Sequence, residues 1–471
     1  MNEFRTEDEC KACEAKFTGI IEKLELTIKT LENRISELEA RLNKDSHNSG
    51  KPPSTDNPYK NKIKNNREKS GKKSGGQFGH KGTTLKKVEN PDIKILVPVV
   101  KCEQCKADLA NVPTIKHIAR QSFDIPKITR IVTEFQGEVK DCPCCGRRNR
   151  AEFPANVVNH TQYGDNIKAH ILYLKNQGLM PYERLAEHFL EVMGVQICQA
   201  TIDQFQQDIS GNLVEYEDKM KSVVLKASVI HVDETGHSIK GELNWLHVIA
   251  TDFITLYFSN KKRGAEGMRE IGILDQYTGT CIHDGWKSYY DFLCRHGLCN
   301  VHHLRELLFA YEEMKQDWAW DMGGLLKQIK SAKEENFPIS IDQMNDFDRQ
   351  FDQILEKGYL KNPVPPKIPG KRGRQARGKT LCLLDRLKEH KAEVLLFMRE
   401  KDVPFSNNLA ERDIRMMKLQ QKISGTFRSD RGAVDFCRIR GFISTMRKRG
   451  HSIYQALVDA LNGNALAYAA E

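Results

Sequence analysis

Between residues 15 and 43 apolar side chains recur at alternating steps of four and three: Phe17, Ile21, Leu24, Ile28, Leu31, Ile35, Leu38 and Leu42. This is a heptad seam with Phe17, Leu24, Leu31 and Leu38 at d and Ile21, Ile28, Ile35 and Leu42 at a, set in the mostly polar "EKLELTIKTLENRISELEARL". Ile-rich a with Leu at d favours a parallel two-stranded coil, so residues 1–45 are predicted to be a dimerisation helix. A stripe this narrow has to be covered, by a second copy or by the protein's own body. From 46 to 94 apolar residues all but vanish, as in "NSGKPPSTDNPYKNKIKNNREKSGKKSGGQFGHKGTTLKK" (48–87). So little surface to bury predicts a flexible basic linker, either a plain connector or a tether along DNA phosphates.

Residues 95–155 alternate like strands in "RQSFDIPKITRIVTEFQGEVKD", flanked by the pairs Cys102/Cys105 and Cys142/Cys145. With Pro143 and Gly146 suited to tight turns, four thiolates predict a small β module closed around a structural Zn²⁺, with Cys144 able to replace a neighbour. Cys10 and Cys13 make a further, isolated C-x-x-C. Residues 156–224 read as helices: Leu185, Phe189 and Val192, a turn at Gly194, then Ile197, Ile202 and Phe205. That rhythm suits a helix-turn-helix DNA-binding domain or simple helix packing.

From 225 the period becomes two. "SVIHVDET" (228–235), "NWLHVIAT" (244–251) and "ITLYFSN" (254–260) read as strands, "GAEGMREIGIL" (264–274) as a helix, and "GTCIHDGW" (279–286) as another strand. Three strands, a helix and a strand, with aspartates on the first and fourth strands, is the order of a ribonuclease-H-like α/β core. Asp233 and Asp284 would then be neighbours. Two adjacent carboxylates repel and resist desolvation unless a hard divalent cation binds between them. A third acid on a helix from elsewhere would complete a site for two Mg²⁺ or Mn²⁺ ions that activate a hydroxyl and stabilise a leaving oxygen. Glu411 in "VPFSNNLAERDIRMMKLQQKISGTFRS" (403–429) is that candidate. Asn408, Glu411, Arg415, Lys418 and Lys422 share a helix face, with Ser406 or Asn407 as cap. Arg412, Arg415, Lys418, Lys422 and Arg428 would grip flanking phosphates.

Charge sharpens that picture. The chain carries a net +10, but residues 51–90 hold 11 Lys and Arg against 3 Asp and Glu, residues 361–380 hold 7 against none, and residues 411–449 hold 11 against 4. The rest is therefore acidic, and the concentrated positive patches fit a polyanionic partner such as double-stranded DNA. Lys371, Arg372 and Arg374 lie in "KNPVPPKIPGKRGRQARGK" (361–379), either a DNA clamp or an exposed connector between two helical stretches. The cluster Cys294, His296, Cys299, His302 and His303 fits a strand running into a helix start, where such residues pack or cap, though its density also suits a metal. His231 shares a strand face with Asp233; His283 points away from Asp284. No window approaches eighteen uninterrupted apolar residues, so no membrane span is expected. Thirteen cysteines, several in C-x-x-C spacing, fit reduced thiols in a cytoplasmic protein.

The segments "NSGKPPSTD", "GGQFGHKG", "RQSFDIP", "VTEF", "HVDETG", "NWLHV", "IHDGWKSYY", "LCNVHHLREL", "PFSNNLAERDIRMMKLQQKISGTFRS" and "ISTMRKRG", in this order, resemble the insertion-sequence-66 family of DDE transposases. The resemblance runs from the zipper almost to residue 450. It implies an N-terminal zipper, a zinc-binding module, a helix-turn-helix, and a catalytic core (225–295 and 400–450) with a helical insertion (296–399) before the final acid. A C-terminal helix or tail (451–471) follows. Carried over, Asp233, Asp284 and Glu411 are the catalytic, metal-binding triad. The activity implied is nicking of element ends followed by 3′-hydroxyl strand transfer, in a homodimer or higher oligomer, with accessory proteins from the same element as further partners. A nuclease or resolvase on the same core, and a DNA-binding regulator without chemistry, are the rival readings.

Overall fold

The computed structural model describes residues 7–45, 47–49, 79, 85–126, 128–364 and 377–469. The chain divides into two compact units, one of residues 1–64, 135–187 and 197–471, the other of 65–134 and 188–196. In the larger unit α1 (Glu7–Leu42) is one helix of 36 residues. All eight seam residues from Phe17 to Leu42 are exposed along it. Its far end is tied down, Asn43 Nδ2 donating to Glu313 Oε2 at 2.9 Å. The hairpin of β1 (Val139–Asp141) and β2 (Arg148–Arg150) frames Cys142 and Cys145.

Four helices follow: α2 (Asp165–Asn176), α3 (Tyr182–Met193), α4 (Gln199–Asn212) and α5 (Val214–Val224). Leu185, Phe189, Ile197, Ile202 and Phe205 are buried, as their spacing predicts, whereas Val192 is exposed. Gly194, at φ 64°, stops α3, with Val195 N–H returning to Phe189 O at 2.9 Å.

The centre is a five-stranded sheet: β3 (Val229–Ile239), β4 (Glu242–Ala250), β5 (Thr255–Asn260), then α6 (Ala265–Ile271), β6 (Thr280–His283) and β7 (Arg295–Leu298). Its order is β5-β4-β3-β6-β7. The first three strands pair antiparallel, while β6 runs parallel to β3 and β7 parallel to β6. Lys240 and Gly241, with φ of 53° and 85°, form the two-residue hairpin turn joining β3 to β4. The four residues of β6 are buried, as befits a central parallel strand. The β6 strand stops at His283, short of the expected 286, because Gly285 adopts φ 89° and turns the chain.

Next come α7 (Asn300–Glu312), α8 (Asp317–Glu335), α9 (Ile341–Lys361), α10 (Lys379–Glu389), α11 (Lys391–Val394) and α12 (Leu396–Arg399). They pack around Leu307, Trp318, Phe351, Leu384 and Phe397, continuous with Ile282 and Leu298 of the sheet. The chain then returns as α13 (Asn408–Ser424), α14 (Asp430–Lys448) and α15 (Ile453–Leu461). Ala410, Ile414, Met417 and Phe436 cover Leu246, Val248 and Tyr257 of β4 and β5. Each such fully buried aliphatic or aromatic side chain contributes roughly 1.5–3 kcal/mol. The last helix, α15, packs on α2 and α4, Tyr454 donating to Asn166 O at 2.8 Å.

In the smaller unit, residues 113–126 and 128–134 form no regular strand. The strand-like alternation there predicted more β structure than is found. Its apolar residues Ile115, Ile118, Ile125, Ile131 and Val132 are exposed, so no burial within the described residues drives pairing.

Candidate active site

Asp233 sits in the middle of β3. The parallel register with β6 sets His231 opposite Ile282, so two residues further on Asp233 is level with Asp284, just beyond the end of β6. Asp284 is exposed and shaped by a local turn, its Oδ1 accepting Trp286 N–H at 2.9 Å. Glu411, in the first turn of α13, has a side chain only 15% exposed. Burial first, then the negative charges of Glu234, Asp284 and Glu411, push the Asp233 carboxyl well above the usual aspartate range. The three acids predicted from sequence thus share one electrostatic neighbourhood. Their donor set is hard carboxylate oxygen, and their mutual repulsion is the kind that a Mg²⁺ or Mn²⁺ ion relieves.

What brings Glu411 there is Asn407, which the sequence suggested only as a helix cap. It makes no side-chain cap. Buried to 1% exposure, its Nδ2 donates to Val232 O at 2.7 Å, and its Oδ1 lies 2.9 Å from His231 Nδ1. Its backbone N–H meets Cys299 Sγ at 3.1 Å. The start of α13 is thereby pinned across β3, with Glu411 one helical turn on. His231 is accordingly a partner of Asn407, kept neutral mainly by burial. The other acid of this turn, Asp413, faces the sheet: its Oδ2 accepts Thr255 Oγ1 at 2.8 Å and Lys448 Nζ at 2.9 Å. Two acids two residues apart on a helix point to different sides, and only Glu411 looks toward Asp233.

The same division holds on β3. Glu234 points away from Asp233, its side chain 2% exposed, and takes Arg263 Nη2 at 2.8 Å and Nε at 3.1 Å on one oxygen and the Tyr289 hydroxyl on the other. Burial pushes its carboxyl up, opposed by the Tyr289 and Arg263 donors. The Arg263 guanidinium is stacked between Trp245 and Trp286, 4.8 and 4.2 Å from their rings. Trp286 belongs to the turn that shapes Asp284, so this stack braces the second aspartate. Sequence reasoning passed over Glu234, Arg263 and both tryptophans, although "DET", "NW" and "DGW" place an acid and two indoles beside the chosen aspartates.

The cysteine and histidine cluster separates. Gly285 N–H donates to His283 Nδ1 at 3.1 Å, which leaves Nε2–H to face His296 Nδ1 at 3.1 Å and His296 Nε2–H to face Phe292 O at 3.2 Å. Burial holds His283 near pKa 3, neutral, as this chain of donors requires. His303 is buried against Asn300, and Cys294 is buried beside Cys281. Only Cys299 and His302 converge on Glu411, each 3.8 Å from its Oε1.

The Transposase IS66 family pattern matches residues 160–435, more than half of the chain and all three acids. The chain belongs to the IS66 family of transposases. Residues 3–86 of this IS66 member match a family of unknown function (DUF6444), across α1 and the basic stretch. An uncharacterized protein of Sinorhizobium fredii (strain NBRC 101917 / NGR234), y4jO, is 36% identical over 87 residues, 18% of this chain and 27% of that protein. The chain thus spans about a quarter of that relative's length.

The basic residues expected beside an IS66 site are distributed unevenly. Arg412, Arg415, Lys418, Lys422 and Arg428 are exposed, with Lys418 spending one donor on Gly236 O at 2.8 Å. The α13 helix runs along β3, and Phe427 closes the pairing by donating to Ser238 O at 2.9 Å, which sets Arg428 beside the β3–β4 hairpin. Lys371, Arg372 and Arg374 lie outside the described residues, as does most of 46–94. The two C-x-x-C pairs make matching turns: Lys106 N–H returns to Cys102 O at 3.0 Å, and Gly146 N–H to Cys142 O at 2.9 Å. Amides of Cys105 and Gln104 lower the Cys102 thiol, and those of Cys145 and Cys144 lower the Cys142 thiol. Such turns favour thiolate, the form a zinc ligand takes. Among the described residues no helix is long and apolar enough to cross a membrane.

Proposed function

We propose that the chain is a metal-dependent DNA transposase on a ribonuclease-H-like core, which nicks element ends and then joins the freed 3′-hydroxyl to target DNA. The observation that carries this reading is the convergence of Asp233 in β3, Asp284 just beyond the parallel β6, and Glu411 on a helix more than a hundred residues downstream. A sheet ordered β5-β4-β3-β6-β7, with three antiparallel strands followed by two parallel ones, supports the core assignment. Asp233, Asp284 and Glu411 would hold two Mg²⁺ or Mn²⁺ ions, which when bound acidify the attacking hydroxyl and neutralise charge growing on the phosphate. The chain's own residues do the positioning. Asn407 fixes where Glu411 enters, Arg263 and Trp286 hold the Asp284 turn, and the exposed cations of α13 bind flanking phosphates. The helical domain of residues 156–224 would contribute to end recognition, and α1 would pair two protomers so that two ends are synapsed.

A strand-transfer assay with pre-nicked end DNA and Mn²⁺ tests the reading. The expected result is joined product with wild type, lowered at least a thousandfold in Asp233→Asn, Asp284→Asn and Glu411→Gln. Cleavage without joining would make the protein a nuclease on the same core. Activity surviving all three substitutions would leave only a DNA-binding role.

A further inference from the structure

Glu411 faces two chemistries at once. On one side are the carboxylates of Asp233 and Asp284; on the other are Cys299, at the start of α7, and His302 in its first turn. The i, i+3 spacing puts the thiol and the imidazole on one face of that helix. Among the described residues, Cys299, His302 and Glu411 are the group whose donor atoms lie mutually close enough to hold a metal ion, within 4.8 Å of one another. The two separations from Glu411 Oε1 are 3.8 Å each. Ligands on a tetrahedral zinc are about 3.5 Å apart, given bonds of about 2.0–2.3 Å, so the two separations from Glu411 need shorten by only a few tenths of an ångström, and the thiol–imidazole separation by about 1 Å at most.

A second observation points the same way. His302 Nδ1 is buried and has no hydrogen-bond partner, though it is aimed at the carboxylate. An orphaned buried nitrogen costs free energy unless something occupies the gap.

We propose that Cys299, His302 and Glu411 form a zinc-class cation site that shares the Glu411 carboxylate with the magnesium-class site of Asp233 and Asp284. This rests on the reading of Glu411 as the third acid. Sulfur and imidazole select zinc over magnesium, whereas carboxylates and water suit magnesium. Binding at Cys299 expels the thiol proton, since a coordinating thiol is deprotonated. One carboxylate cannot serve both ions in full, so zinc withdraws Glu411 from the aspartates and the two metals compete. The transposase would therefore be held inactive by zinc at its own active site.

The test counts metal and needs no DNA. Full-length protein is stripped, reloaded with Zn²⁺, desalted and assayed for bound zinc, with titration calorimetry for affinity. Wild type should retain one zinc more than Cys299→Ser, His302→Gln or Glu411→Gln, each checked for an intact melting transition. Saturating Mg²⁺ should weaken that extra zinc at least tenfold. Equal zinc counts in all four proteins would overturn the site, and an extra zinc indifferent to Mg²⁺ would overturn the sharing. Loss of strand transfer alone decides neither, so this inference and the proposed function fail separately. His302→Gln leaves the buried Cys299 packing intact and keeps the test meaningful should Cys299→Ser not fold.

Discussion

Asp233 and Glu234 are neighbours in sequence with opposite fates. Glu234 is paired with Arg263 and Tyr289, while Asp233 Oδ1 accepts the Glu234 amide and its carboxylate faces Asp284 and Glu411. Because its folded-state pKa is raised, the folded protein holds a proton that the unfolded chain has already released. Stability therefore falls as pH climbs from the ordinary aspartate range, about 3.9, through the raised value, and the loss is complete above it. Asp233→Asn should consequently melt several degrees above wild type at neutral pH without divalent ions, with the gap closing on acidification or on adding Mg²⁺. Identical melting curves across pH in calorimetry would mean that the carboxylate bears no such burden. At this scale residue type and family wording single out the three acids as candidates. The role of Asn407 was not legible: its partner His231 is 176 residues away in sequence, and no local pattern marks that distance.

Among the elements, α13 explains why one segment carries acids and cations together. Ile414 and Met417 bury its inner face, Asp413 locks it to β5 and α14, and Glu411 is left as the acid turned toward the aspartates. Gly441 permits the close approach of α14 to β5, since a Cβ there would sit 3.1 Å from Thr255 O. Lys448 then reaches Asp413 in a pair whose side chains are 10% and 11% exposed. Lys448→Met should destabilise the fold by about 3–5 kcal/mol in urea unfolding, since it leaves a buried charge without its partner. A change below about 1 kcal/mol would show the pair to be incidental. Strand and helix order in the sheet was readable from periodicity, including the strand that runs into α7. The end of β6 was not, because a glycine with positive φ decides it. The heptad seam was readable too, and its exposure on α1 yields a further expectation: Leu24→Asp with Leu31→Asp should convert a dimer to a monomer in light scattering. An unchanged mass would remove the zipper role.

Over the whole molecule, charge and fold divide the work. Cations are concentrated in the 51–90, 361–380 and 411–449 stretches, while the sheet and the helices around it supply a rigid frame for the acids. The helices between Asp284 and Glu411 were expected from their apolar rhythm, and their core is continuous with β6 and β7, so the described helices of the long detour between the second and third acids are themselves packed. Of the strand-like alternation over 120–141 only Val139–Asp141 forms a strand among the described residues, because alternation signals a strand only where another strand or a core receives it. The claim on which all the rest depends is that Asp233, Asp284 and Glu411 hold divalent cations together. Anomalous scattering from crystals soaked in Mn²⁺ measures this most directly. The account predicts manganese peaks bridged by these three side chains, lost in Asp233→Asn; crystals with manganese bound elsewhere and none among the three acids would contradict it.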